Sequence, residues 1–211
     1  MFTKKNSLLV VLIAGLLVFA SSCKQPSSGS SETSVKSWEN LKDVLDAGED
    51  LSGTWTLTDA YLKIYNSEDG KPDPDNFESS DIDEILAYQD KDGKTNTDMK
   101  EFTFKTKEEA EHSMRFLIDD FEEASKERQE DFKEMENGFL LAQFFGFIID
   151  LKKNKKSSET YIKINKDRNN ITLYDAIDVE LAGSMTAMGE TEKFDYKGNG
   201  KAKFVYIRKE N

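Results

Sequence analysis

Apolar and polar positions follow four patterns along this chain. Leu8 to Phe19 is an unbroken apolar run, shorter than a comfortable membrane span. Lys24 to Lys36 is its opposite, rich in Ser, Gly and Thr, and cannot bury enough surface to offset its chain entropy. From Leu51 to Tyr65 apolar residues alternate, with Trp55 and Leu57 on one parity and Ala60, Leu62 and Ile64 on the other. That slip predicts a strand with a bulge or bend at Thr58 and Asp59, which puts all five on one face. The fourth pattern is helical. Ala110, Met114, Leu117, Phe121, Ala124, Phe132, Met135 and Phe139 recur at steps of three and four, with Arg128 as the one interruption.

Boundary residues sharpen these elements. Thr106 and Glu109 form a Thr-x-x-Glu capping box, and Asn137-Gly138 predicts the end of a helix of roughly 30 residues, about 45 Å long. Such a helix either packs along the outside of a sheet or projects towards a partner, with a coiled coil as a further option. Ser37 suits the N-cap of a short helix, Trp38 to Ala47, with Trp38, Leu41, Val44 and Leu45 on one face and Gly48 as its stop. Asn66 to Asp81 reads as a long loop, Ile82 to Gln89 as helical turn or strand, and Asp90 to Met99 as turn-rich. Glu101 to Lys105 predicts a short strand with Phe102 and Phe104 on one face. Phe139 to Leu151 reads as a buried strand bent at Gly146, with continuation of the helix as the rival. After a basic turn, Lys152 to Lys156, short strands follow: Thr160–Asn165, Ile171–Ala176, Val179–Met185, Glu192–Lys197 and Lys201–Arg208, the last two joined by a Gly198-Asn199-Gly200 turn.

The N-terminal order has its own meaning. Lys4 and Lys5 precede the apolar run, Ala20, Ser21 and Ser22 follow it, and Cys23 is the one cysteine of the chain. This resembles a bacterial lipoprotein signal with its lipobox, although Ala20 stands where that pattern usually has leucine. The resemblance implies cleavage before Cys23 and lipidation of its thiol, as by a palmitate-type acyl chain. A lone cysteine in an exported chain has no intrachain disulfide partner, and lipidation accounts for it. The expected organisation is a signal peptide over 1–22, a lipidated flexible tether over 23–36 and a single domain over 37–211. Lys24 after the cysteine implies, by the same resemblance, an envelope protein of the outer membrane.

A short helix followed by Gly53, Thr54 and Trp55 and a long bent strand resembles the opening of lipocalin-like proteins. That resemblance implies an antiparallel β-barrel, or a related sandwich, holding a small apolar ligand. The expected class is therefore α+β, lipocalin-like, with a short N-terminal helix and one long amphipathic helix inserted. Trp55 is the candidate ligand-binding residue, and Phe144, Phe145, Phe147, Tyr161, Tyr174, Phe194, Phe204 and Tyr206 are aromatics available to a cavity or a core. The long helix offers an alternative role as a protein-contact element.

Charge narrows the partners. The formal charge of −12 becomes −14 once Lys4 and Lys5 leave with the signal, which disfavours nucleic acid and anionic head groups. Membrane attachment then falls to the lipid on Cys23. His112 is the only histidine and sits off the apolar stripe among Glu108, Glu109, Glu111 and Arg115. With one histidine and a lipid-bearing cysteine, zinc and copper sites of the usual kind find no ligand set, and no cofactor is expected. Asp69, Asp73, Asp75, Glu78, Asp81, Asp83 and Glu84 crowd one region, and Asp90, Asp92 and Gly93 resemble part of an EF-hand loop without its closing acid, so a solvated acidic loop is the expectation. Neither a Gly-x-Ser-x-Gly elbow nor a Gly-x-Gly-x-x-Gly fingerprint is present, which leaves an enzyme as the weakest of the three expectations.

Overall fold

The computed structural model describes residues 38–88 and 97–209. In chain order its elements are β1 (Trp38–Asn40), α1 (Leu41–Asp46), β2 (Gly53–Glu68), β3 (Lys71–Pro72), β4 (Phe77–Ser79), α2 (Ile82–Ala87), a 3-10 turn (Thr97–Lys100), β5 (Glu101–Phe104), α3 (Lys107–Phe144), β6 (Ile148–Asn165), β7 (Asn170–Ala187) and β8 (Glu190–Lys209). The signal and tether, with Cys23, lie outside the described residues, as do Ser37, Asp90, Asp92 and Gly93.

The described strands form one antiparallel sheet in the order β1-β6-β7-β8-β2-β3, with β4 and β5 also paired along the free edge of β2. The two edges do not meet. The α+β class and the inserted helix stand, while the expected barrel gives way to an open sheet. The reason lies in strand length. The five short strands expected after Lys152 fuse into β6, β7 and β8, of 18, 18 and 20 residues, each paired along most of its length with the next. A strand of 18 residues spans about 60 Å, and α3, with 38 residues, about 57 Å. The helix can therefore run the length of the sheet and cover the face that a barrel would have closed upon itself.

The bulge in β2 sits where the alternation slips. Pairing with β8 shifts between Leu57 and Asp59, after which Trp55, Leu57, Ala60 and Leu62 are all buried, with Ile64 packed beside them. Several boundaries move. Helix α1 starts at Leu41 with Asn40 as its N-cap, its Oδ1 accepting from Lys42 N at 2.9 Å, and Trp38 lies half-exposed in β1 rather than on a helical face. Gly48, at φ 72°, does close that helix. The loop expected over Asn66–Asp81 instead contains the end of β2, a tight turn at Asp69-Gly70, and strands β3 and β4.

Helix α3 begins as expected: Thr106 Oγ1 accepts from Glu109 N at 3.2 Å, while Glu109 Oε2 reaches one residue further back to Lys105 N at 2.7 Å. It runs past Asn137-Gly138 to Phe144, because Phe132, Met135 and Phe139 pack on Ile177, Val179 and Leu181 of β7. That burial outweighs the cost of about 1 kcal/mol for a helical glycine. The chain then turns at Gly146, φ 86°, so Phe139–Leu151 is helix, turn and strand rather than one bent strand. Lys152–Lys156 is not a turn but part of β6, whose pairing with β7 shifts between Leu151 and Lys153. Lysines and a bulge blunt an edge strand that β1 covers only at Lys163–Asn165. Gly198-Asn199-Gly200 lies inside β8, where a Cβ on Gly198 would come within 2.7 Å of the Tyr196 hydroxyl.

Arg128, the break in the helical stripe, is 3% exposed and faces the sheet. Its Nη1 donates to Asp175 Oδ2 at 2.6 Å and its Nη2 to Asp175 Oδ1 at 2.5 Å and Thr160 Oγ1 at 2.8 Å. Asp175 Oδ1 also accepts from the Thr160 hydroxyl and from Ala176 N at 3.0 Å. Burial pushes the Asp175 carboxyl above its ordinary value, against the pull of Arg128, Thr160 and the Ala176 N–H. Arg128→Met leaves that carboxylate desolvated and without its counter-ion, at a cost of about 3–5 kcal/mol near neutral pH, read as a lower urea midpoint. With the folded-state pKa raised, protonation favours the folded state. The deficit is then smallest below the unfolded carboxyl pKa and grows as pH rises through the folded one. Equal deficits at pH 4 and pH 7 would contradict this, and adding Asp175→Leu to Arg128→Met restores most of the loss.

Candidate functional site

Between the N-terminal half of α3 and the sheet lies a cleft of about 360 Å³. Its sheet wall is Trp55 from β2, Ile171 and Leu173 from β7 and Tyr206 from β8. Phe102 and Phe104, on the same face of β5 as expected, form one side, and Leu41 of α1 closes another. Helix α3 contributes the buried Met114 and the half-buried Leu117, with Ser113, Phe116 and Asp120 further round. The elements are held in place at the surface as well. Lys42 meets Glu122 at 2.7 Å, Arg115 meets Asp46 at 2.9 Å and Lys107 Nζ donates to Gly48 O at 2.5 Å, tying α1 to the first turns of α3.

Polar atoms of the deep wall are satisfied internally. Trp55 is 1% exposed and its indole Nε1 donates to Leu51 O at 3.0 Å, so only the ring is turned to its neighbours. Tyr206 donates to Met99 O at 2.8 Å, and burial holds its phenol well above the usual range. It therefore stays neutral. Phe102 lies 4.8 Å from the Tyr206 ring, centroid to centroid. The size and apolar lining match sites that take small hydrophobic molecules. Ser113 and Asp120 are the polar residues of the lining apart from the Tyr206 hydroxyl, and neither is paired there with a base that would make a nucleophile.

Trp55, the candidate from the sequence, is thus part of the cleft, with Tyr206 from the aromatic set. The other aromatics go elsewhere. Phe204 is core, Tyr161 and Tyr174 stack on each other at 4.2 Å, and Phe144 and Phe145 are exposed at the end of α3. Phe116, which sequence periodicity left off the helical stripe, is 65% exposed at the cleft. An apolar side chain that a helical wheel places towards solvent was the available signal. His112 is exposed on α3. Several acids of the 69–84 region spend their oxygens within the fold: Glu78 accepts from Tyr61 at 2.6 Å and Lys63 at 2.5 Å, Asp81 caps α2, and Glu84 accepts from Ser79 at 2.5 Å. Among the described residues no group of three or more potential metal ligands converges, and no helix is long and apolar enough to cross a membrane. The chain matches no known family model, no curated protein and no solved structure.

Proposed function

We propose that this protein is a lipid-anchored envelope protein, tethered through Cys23, whose cleft beside Trp55 holds a small apolar ligand. The observation that carries the reading is the cleft itself, about 360 Å³ in volume and lined almost entirely by apolar side chains, beneath about two turns of α3. The lipocalin-like kinship remains part of the proposal through Gly53-Thr54-Trp55 and the bent strand that follows, with a helix in place of the closing strands. The lipobox-like order ending at Cys23 supports the anchor, and Lys24 supports the outer membrane. The lining supports binding over catalysis.

A second reading makes α3 a protein-contact element. Leu140, Leu141, Phe144 and Phe145 are between 57% and 83% exposed, and Ile148 and Met188 add to them at the same end of the sheet. Apolar surface of that extent exceeds what isolated exposed side chains amount to.

Each part has its own check. Cys23→Ser moves the protein from the membrane fraction to the soluble fraction; retention in the membrane fraction contradicts a lipid anchor. Native mass spectrometry of residues 24–211, purified without detergent, shows a discrete added mass released on denaturation. That mass disappears in Ser113→Trp, which fills the cleft from the helix side, and a clean apo mass in the parent protein contradicts the ligand. For the contact element, sedimentation at tens of micromolar gives an associating species that Phe144→Ser with Phe145→Ser returns to monomer.

A further inference from the structure

A second cavity, of about 600 Å³, lies at the end of the sheet where β6 turns into β7. In a chain of net charge −12 its lining holds four cations, Lys105, Arg168, Arg208 and Lys209, against one carboxylate, Asp167. Two of the cations are engaged. Arg168 meets Glu39 at 2.5 Å and Glu49 at 3.5 Å, and Lys209 meets Glu101 at 2.9 Å. Among the described residues, neither Lys105 nor Arg208 forms a contact ion pair, although hydrogen bonds from Ser52, with Arg208 near enough to add to them, hold the Asp50 carboxylate below its ordinary value. Arg208 Nη1 donates to the neutral Asp50 carbonyl at 3.2 Å. The remaining nitrogen of Arg168, its Nε, is buried within the fold and does not face the cavity.

The cavity is next to the apolar cleft. Phe104 lines both, and the Arg208 guanidinium carbon lies 5.9 Å from the centre of the Trp55 ring, so cation and aromatic wall are one side chain apart. We propose that this cavity binds an oxyanion, phosphate or carboxylate, carried by the molecule in the cleft. The ligand is then an anionic amphiphile, with its apolar part against Trp55 and Phe104 and its charged head on Arg208 and Lys105. Guanidinium suits such heads because its fork matches two oxygens at once. The assignment rests on the cleft reading above and adds a head-group site to it.

The test is calorimetric titration of the full chain in phosphatidylcholine nanodiscs, blanked with empty discs, using hexyl phosphate, hexanol and inorganic phosphate. Hexyl phosphate binds at least tenfold more tightly than hexanol, and added sodium chloride weakens it. Lys105→Gln with Arg208→Gln removes that advantage, so that hexyl phosphate binds no more tightly than hexanol does to the same variant. Where the double variant fails to fold, Lys105→Gln alone, at an exposed side chain outside any ion pair, lowers the hexyl phosphate affinity several-fold. Equal affinities for hexyl phosphate and hexanol overturn the head-group site while leaving the cleft intact. Failure of both amphiphiles overturns cleft and head-group site together. Inorganic phosphate binding as tightly as hexyl phosphate, with the same loss in Lys105→Gln, assigns the cavity to a free anion and overturns the amphiphile.

Discussion

An antiparallel sheet left open at both edges has one face that only another layer can hide, and α3 is the element long enough to hide it. Everything else in the fold follows from how that helix is seated. Its first turns meet α1, β5 and the inner face of β2, where Ala110, Met114, Ile118 and Phe121 enter the main core. Its later turns meet β7 through Phe132, Met135 and Phe139. Between the two apolar clusters sits Arg128, which holds Asp175 in a pocket shared with Thr160. Apolar surfaces slide past one another at little cost, whereas a buried guanidinium meets a carboxylate in one geometry only. The pair thus fixes where the helix sits along the sheet more than it adds net stability, since a buried ion pair often does no better than apolar residues of the same volume.

Much of this is legible along the chain, and what is not depends on tertiary partners that no local pattern records. The parity slip at Thr58 and Asp59 located the bulge, because alternation is a local consequence of strand geometry. The Thr106 cap was equally local. Two of the elements that differ turn on glycine or asparagine. Asn137-Gly138 lies inside a helix held down by side chains from β7, and Gly198 lies inside a strand where its missing side chain leaves room for Tyr196. Glycine marks either a turn or a close approach, and only the tertiary partner decides which. Arg128 was noticed as an interruption, but its partner Asp175 is 47 residues away in sequence and carries no periodic signal. For the cleft, Trp55 was visible as a candidate, whereas Phe102, Phe104 and Phe116 became its neighbours only once β5 had paired with β2 and α3 had crossed the sheet.

The two ends of the sheet differ in chemistry, and strand β6 measures their separation. At its C-terminal end, Asn165 pairs with Trp38, the first described residue after the tether, and the adjoining turn carries Arg168 into the cationic cavity. At its N-terminal end, about 60 Å away for an 18-residue strand, Ile148 pairs with Thr186 beside the exposed Leu140, Leu141, Phe144 and Phe145. On the reading of Cys23 as a lipid anchor, the described chain starts at the cationic end, where Trp38 pairs with Asn165, far from the exposed apolar end. The two ends thus present different chemistry, cations beside the cleft at one and exposed apolar side chains at the other.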